Sequence, residues 1–147
     1  MSGETGSKAL SAAKTKFRVH GEDGQPPLTI AEIQEINGLK LESSDEDATT
    51  FDGNGWEEVI MTLKKVNDIS LKMNFVPYAE THGMGSAGLV RSFVDQTKRC
   101  YDFVFPDPNE TTWTIPAYVK SIEVKATAKG KLEGTAVLKP SGKPTLA

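Results

Sequence analysis

The sequence predicts a mainly β domain, an antiparallel β-sandwich or small barrel with one flanking α-helix, and three observations carry that prediction. From residue 28 onward apolar and polar residues alternate with period two, a helical period is clear in one stretch alone, and Asn-Gly, Gly-Lys and Pro signals punctuate the alternating runs. With 147 residues the chain is long enough for one domain with a real core and too short for two of ordinary size. Its 37% apolar and 25% charged residues fit neither a membrane span nor a disordered chain.

Each element follows from its residues. Residues 1–27 are rich in Gly, Ser, Ala and Lys, with Met1, Leu10, Phe17 and Val19 as the larger apolar groups. Such an arm cannot fold alone and needs a surface, its own domain or a neighbouring subunit. Residues 28–42 carry Ile30, Ile33 and Ile36 at a spacing that also suits a helix. Their β-branched content and the Asn37-Gly38 turn favour a strand. Ile69, Leu71, Met73 and Phe75 alternate with Ser70, Lys72 and Asn74, which places an apolar row on one sheet face. Residues 86–99 read as the helix: Ser86 offers a cap, Leu89, Val90, Phe93 and Val94 share a face, and Lys98 and Arg99 suit the negative end of the dipole. Tyr101, Phe103 and Phe105 form a short strand stopped by Pro106 and Pro108. Trp113, Ile115, Ala117 and Val119 then alternate in the parity opposite to Ile122 and Val124, so a bulge is expected near Lys120 or Ser121. Residues 119–139 read as a hairpin about the Lys129-Gly130-Lys131 turn.

Catalytic and metal chemistry find little purchase. Cys100, with His20 and His82, is the available thiol constellation, and both histidines lie in Gly-containing loops with no motif to fix a base. Cys100 reads instead as a small buried apolar residue. One Cys and two His make neither a disulfide framework nor a four-ligand zinc set, and no metal or cofactor is expected. The run from Asp45 resembles a calcium loop until its sixth and twelfth positions, which are Thr50 and Trp56 where Gly and a carboxylate are required. Gly83-Met84-Gly85 lacks the spacing of a phosphate-binding loop and reads as a flexible lead-in to the helix. The apolar runs are too short for a spanning helix or a signal-peptide core, so folding in a reducing cytoplasm is the expectation.

Charge is segregated. Seven carboxylates (Glu42, Asp45, Glu46, Asp47, Asp52, Glu57, Glu58) lie between Lys40 and Ile60, whereas six lysines (Lys120, Lys125, Lys129, Lys131, Lys139, Lys143) follow residue 111. Two solvated faces would explain this, and so would self-assembly in which the acidic loop of one copy meets the basic hairpin or tail of the next. The net charge of -3 argues against a dedicated nucleic-acid binder, which needs a basic face.

The order of segments resembles the major tail tube protein family of long-tailed, siphovirus-type bacteriophages. The matching pieces are TIAEIQEINGLKLE (29–42), the acidic DEDATTFDG (45–53), WEEVIMTLKKVNDISLKMNF (56–75), the helix after a Gly-rich loop, DFVFPD (102–107), WTIPAYVKSIEVKA (113–126) and the tail LKPSGKPTLA (138–147). The resemblance covers about 28–147 and lies in the order of the parts.

It implies a structural virion protein that is no enzyme. Copies would assemble as hexameric rings stacked into a hollow tube, which houses the tape measure protein, meets tail terminator and distal tail proteins, and passes double-stranded DNA without tight binding. The location implied is the virion tail, built in the host bacterial cytoplasm. Residues 43–55 resemble the family's ring-stacking loop, which points to contacts through Asp45, Asp47, Thr49, Thr50, Phe51 and Asp52. Phe17 of the arm, expected to dock on a neighbouring subunit, and Lys129 and Lys131 of the hairpin turn complete the candidate contacts. The alternatives are a secretion-system-like tube protein and a monomeric β-sandwich binding module on a virion surface. The second would want a groove of exposed aromatics, and Trp56 and Trp113 are few and readily explained as core.

Overall fold

The computed structural model describes residues 9–21 and 26–146. In chain order the elements are β1 (Lys16–Val19), β2 (Leu28–Thr29), β3 (Ile33–Asn37), β4 (Leu41–Asp47), β5 (Val59–Val66), β6 (Ile69–Asn74), α1 (Leu89–Asp95), β7 (Arg99–Val104), β8 (Thr112–Lys125), β9 (Glu133–Pro140) and β10 (Thr145–Leu146). Eight strands form one antiparallel sheet in the order β2-β1-β7-β8-β9-β6-β3, with β10 added to β8. β4 and β5 pair as a separate two-stranded ribbon.

β8 organises the sheet. Its first half pairs with β7, its second half with β9, and the register shifts between Val119 and Ser121, where the switch of parity predicts a bulge. Ile115, Ala117 and Val119 before the bulge are buried. The buried faces of β1, β6, β7, β8 and β9 contribute to one core, with Ile69, Leu71, Ala136 and Leu138 fully enclosed. α1 spans about 10 Å at 1.5 Å per residue. That is too short to cover strands spaced about 4.8 Å apart across such a sheet, so most of the core is built from the strands themselves.

Several sequence expectations change. Phe17 and Val19 sit in the core at 1% exposure, because β1 pairs with β7 in the domain's own sheet. Residues 16–19 of the expected arm are therefore part of the domain, and Phe17 is not a surface contact. Residues 1–8 and 22–25 of that arm lie outside the described residues. The helix covers Leu89–Asp95 instead of 86–99: Gly88 is its N-cap, and Gln96 ends it in the left-handed conformation. Leu89 and Ser92 face inward while Phe93 and Val94 are exposed. Cys100 is exposed, while Tyr101 and Asp102 hold buried positions of β7. The lead-in before α1 is tightly packed: a Cβ on Gly88 would fall 1.9 Å from the Gly83 carbonyl oxygen, and Thr81 and His82 are buried. Residues 28–42 divide into β2, β3 and the start of β4, and Asn37-Gly38 makes no hairpin turn: Gly38, at φ +89°, lies in the link by which β3 runs on into β4 of the separate ribbon. The acidic stretch 43–55 is a loop only in its second part, because residues 43–47 lie in β4.

Candidate assembly interface

The ribbon grows directly out of the sheet edge. β3 runs into β4 across residues 38–40 and β5 runs into β6 across Asn67 and Asp68, so the β3–β6 pairing continues outward as β4–β5. The corner is narrow. A Cβ on Gly38 would stand 2.2 Å from the Asp68 carbonyl oxygen, which leaves room for glycine alone. Asn67 N–H donates to the Lys40 carbonyl at 2.9 Å. The Asp68 carboxylate accepts from Lys120 Nζ at 3.1 Å and faces Lys139 Nζ at 3.5 Å, tying the corner to β8 and β9. Burial pushes the Asp68 carboxyl up, but the Lys120 hydrogen bond and the charges of Lys120 and Lys139 outweigh it and hold the group below its ordinary value.

Beyond the corner, every residue of β4 and all of β5 except Val66 are exposed. The cross-strand register defines two faces. Its irregularity lies in β5, where Thr62 and Leu63 stand opposite Ser44, so Val59, Met61, Lys64 and Val66 share one face with Leu41, Ser43, Asp45 and Asp47. Ile60 and Lys65 share the other with Glu42, Ser44 and Glu46, including the Glu42–Lys65 ion pair at 3.6 Å. Among the described residues neither β4 nor β5 has a second strand neighbour, so the ribbon presents two open edges as well as two exposed faces.

The tip is well braced. Ala48 N–H donates to the Glu58 carbonyl at 2.9 Å, and the Thr49 hydroxyl accepts from Glu58 N–H at 3.0 Å. The Thr49 side chain, and then its backbone N–H at 2.9 Å, hold the Asp47 carboxyl below its ordinary value. Thr50 precedes a 3-10 turn, Phe51–Gly53, and Asn54 and Gly55 at positive φ return the chain to Trp56. Phe51 projects fully into solvent and Trp56 is largely exposed. Of the residues singled out by sequence, Asp45, Asp47, Thr49, Thr50, Phe51 and Asp52 are thus gathered on one projection, all exposed. Lys129 and Lys131 are exposed in the turn between β8 and β9. Trp113 is partly buried against Phe105, with ring centroids 5.0 Å apart, while Trp56 lies outside the core.

A buried polar cluster that sequence reasoning missed fastens β1 to the sheet. Asp102, 2% exposed, accepts from Arg18 Nη2 at 2.9 Å and the Thr114 hydroxyl at 2.7 Å, and pairs with His20 Nε2 at 2.8 Å. Register explains it, since Arg18 and Thr114 are the cross-strand partners of Asp102 on its two sides. His82, fully buried, accepts from Val76 N–H at Nδ1 (3.0 Å), bonds the Ala31 carbonyl through Nε2 (2.6 Å) and stacks on Phe75. Both histidines therefore serve the scaffold. Among the described residues no three His, Cys, Asp or Glu side chains converge to hold a metal ion.

A small β domain that projects a braced ribbon, acidic at its tip and open at both edges, belongs to the proteins that work by assembling with copies of themselves. The family model for the lambda phage tail tube protein, TTP, matches residues 22–147, and the chain belongs to that family. It is a structural tail tube protein of virions. Among solved structures it is similar to the tail of an empty gene transfer agent particle refined with C6 symmetry, at TM-score 0.78 and 16% identity over 95% of this chain and 99% of that one. It is also similar to a chain in the anti-feeding prophage baseplate (TM-score 0.74, 13% identity, 96% and 97% covered) and to the SPP1 tail tube (TM-score 0.59, 13% identity, 95% and 80% covered). At these identities the likeness is one of fold. No curated protein sequence matches the chain significantly.

Proposed function

We propose that copies of this chain close into six-membered rings that stack as the hollow tail tube, house the tape measure protein, meet terminator and distal tail proteins at the two ends, and conduct duplex DNA. The observation that carries this reading is the β4–β5 ribbon, whose open edges and exposed Val59, Met61 and Leu63 have no partner within the described chain. An isolated subunit with such an edge is an aggregation hazard, whereas a ring that pairs each ribbon with its neighbours removes the edge. Six-fold closure has support in the C6 tail whose subunit shares this fold. Within the ring the ribbons lie side by side, and the tips with Asp45, Asp47, Thr49, Thr50, Phe51 and Asp52 reach the adjacent ring. Lys129 and Lys131 supply positive charge for an acidic neighbour. Assembly takes place in the host cytoplasm.

Negative-stain microscopy of the purified chain at high concentration tests this. Tubes, with six-fold end views, are the expected result. Monodisperse monomers at every concentration and with every tail component added would overturn it.

A further inference from the structure

At the base of the ribbon, the face bearing Leu41 and Val66 meets the C-terminal segment that leads into β10, and between them lies a groove of about 700 Å³. Leu41, Val66, Pro144 and Leu146 line it with apolar surface, and Lys64 and Lys143 stand along it. Glu42, the carboxylate on this lining, is engaged by Lys40 at 3.7 Å and Lys65 at 3.6 Å. Lys64 and Lys143 enter no ion pair among the described residues, so the groove presents an apolar floor with uncompensated positive charge.

The ribbon tip has the complementary character. Phe51 is held out on a 3-10 turn braced by Gly53 N–H to the Thr50 carbonyl at 3.2 Å and Trp56 N–H to the Gly53 carbonyl at 3.0 Å, with Asp52, Glu57 and Glu58 around it. A large aromatic displayed on a pre-formed turn binds at low ordering cost, the pattern of an anchor residue. Knob and groove lie at opposite ends of one rigid element: the eight residues of β5 separate them by roughly 25 Å at about 3.3 Å per residue. One copy cannot fill its own groove. The groove is therefore filled by another copy, and such a contact, repeated head to tail from ring to ring, propagates as a filament.

The geometry points to the Phe51 tip of one copy seating in the groove between the ribbon base and the C-terminal segment of a second copy in the next ring. This rests on the reading of the tip as a ring-to-ring contact, and it names the receptor for that tip. Phe51 fills the apolar floor, and Asp52 with its acidic neighbours faces Lys64 and Lys143.

Two single-cysteine forms of the full chain, each in a Cys100→Ser background, test the pairing: Asp52→Cys and Lys143→Cys. Mixed during tube formation and oxidised, they should give a disulfide-linked dimer that neither gives alone. Phe51→Ala and Leu146→Asp should each raise the concentration needed for tubes by about tenfold or more. Lys143→Glu should weaken assembly, and adding Asp52→Lys should restore it. Tubes that form normally with Leu146→Asp and Lys143→Glu and yield no mixed disulfide overturn the groove, even if deleting 45–54 abolishes them. Unchanged tube length after that deletion overturns the stacking reading itself.

Discussion

Asp102 shows how much one carboxylate can fix in a domain of this size. Three partners from β1, the residue after it and β8 converge on a side chain that is almost wholly enclosed, so the charge is compensated where it is buried. Arg18 and His20 keep 32% and 39% of their side chains exposed and can turn to water when Asp102 is lost. Asp102→Ala should therefore cost about 2 kcal/mol, read by urea unfolding, instead of the larger penalty of a stranded buried pair. Tyr101 behaves oppositely. Burial pushes its phenol up to about 12, and its hydroxyl lies near Ser92 without forming a hydrogen bond. Tyr101→Phe should stabilise the fold by up to about 1 kcal/mol, since it removes a polar group that gains nothing. A loss of stability in the same unfolding assay would show that the hydroxyl is satisfied after all. Neither role was readable in the sequence. A lone Asp in the alternating run Tyr101, Asp102, Phe103 looks solvent-facing, and only the register, which sets Arg18 of β1 and Thr114 of β8 beside it, shows why this position is enclosed.

At the scale of elements, period two was a dependable guide where one face is buried and a poor one where neither is. Ile69, Leu71 and Met73 were placed correctly because the core selects their parity, and the bulge in β8 could be located because parity must switch there. β4 could not be recognised: LESSDED has no apolar row, and its strand character comes from pairing with β5. The expected helix is too long because Ser86 and the Lys98-Arg99 pair look like end signals while Gly88 and Gln96 are the actual caps, and Phe93 and Val94, which look like core at helical spacing, point outward. The candidate contact residues were found by charge and by resemblance, while the rigidity of their tip depends on the Thr49 and Glu58 clasp between the two arms of the ribbon. The corner that aims this element carries its own prediction. Asp68 holds a lowered pKa, so its contribution is complete above about pH 5 and is lost as the pH falls below the ordinary Asp value near 4 toward the lowered one. Asp68→Asn should accordingly destabilise the domain at pH 7, and the difference should shrink progressively as the pH falls below about 4. A stability gap that persists unchanged at pH 3 would show that the carboxylate charge is not what ties the ribbon base to Lys120 and Lys139.

For the whole molecule, charge decides how a conduit treats its cargo. Duplex DNA that must slide is slowed by each strong lysine or arginine contact, because every neutralised phosphate adds to the affinity that motion has to break. The chain carries a net charge of -3, and on the ribbon strands Glu42, Asp45, Glu46 and Asp47 stand against Lys64 and Lys65. The lysine-rich turn with Lys129 and Lys131 lies on a different element, at the far end of β8 and β9. Ribbons paired around the ring axis would therefore give an inner wall with more carboxylates than cations. Assembled tubes should retain no duplex DNA at about 50 mM salt and micromolar sites, a condition in which a basic lumen would bind strongly. Replacing Asp45 and Glu46 by lysine should create binding that weakens steeply with added salt, while the same replacements at Glu133 should not. A density map of the tube showing a wall lined mainly by lysines, or wild-type tubes that hold duplex in a salt-sensitive way, would refute the acidic conduit.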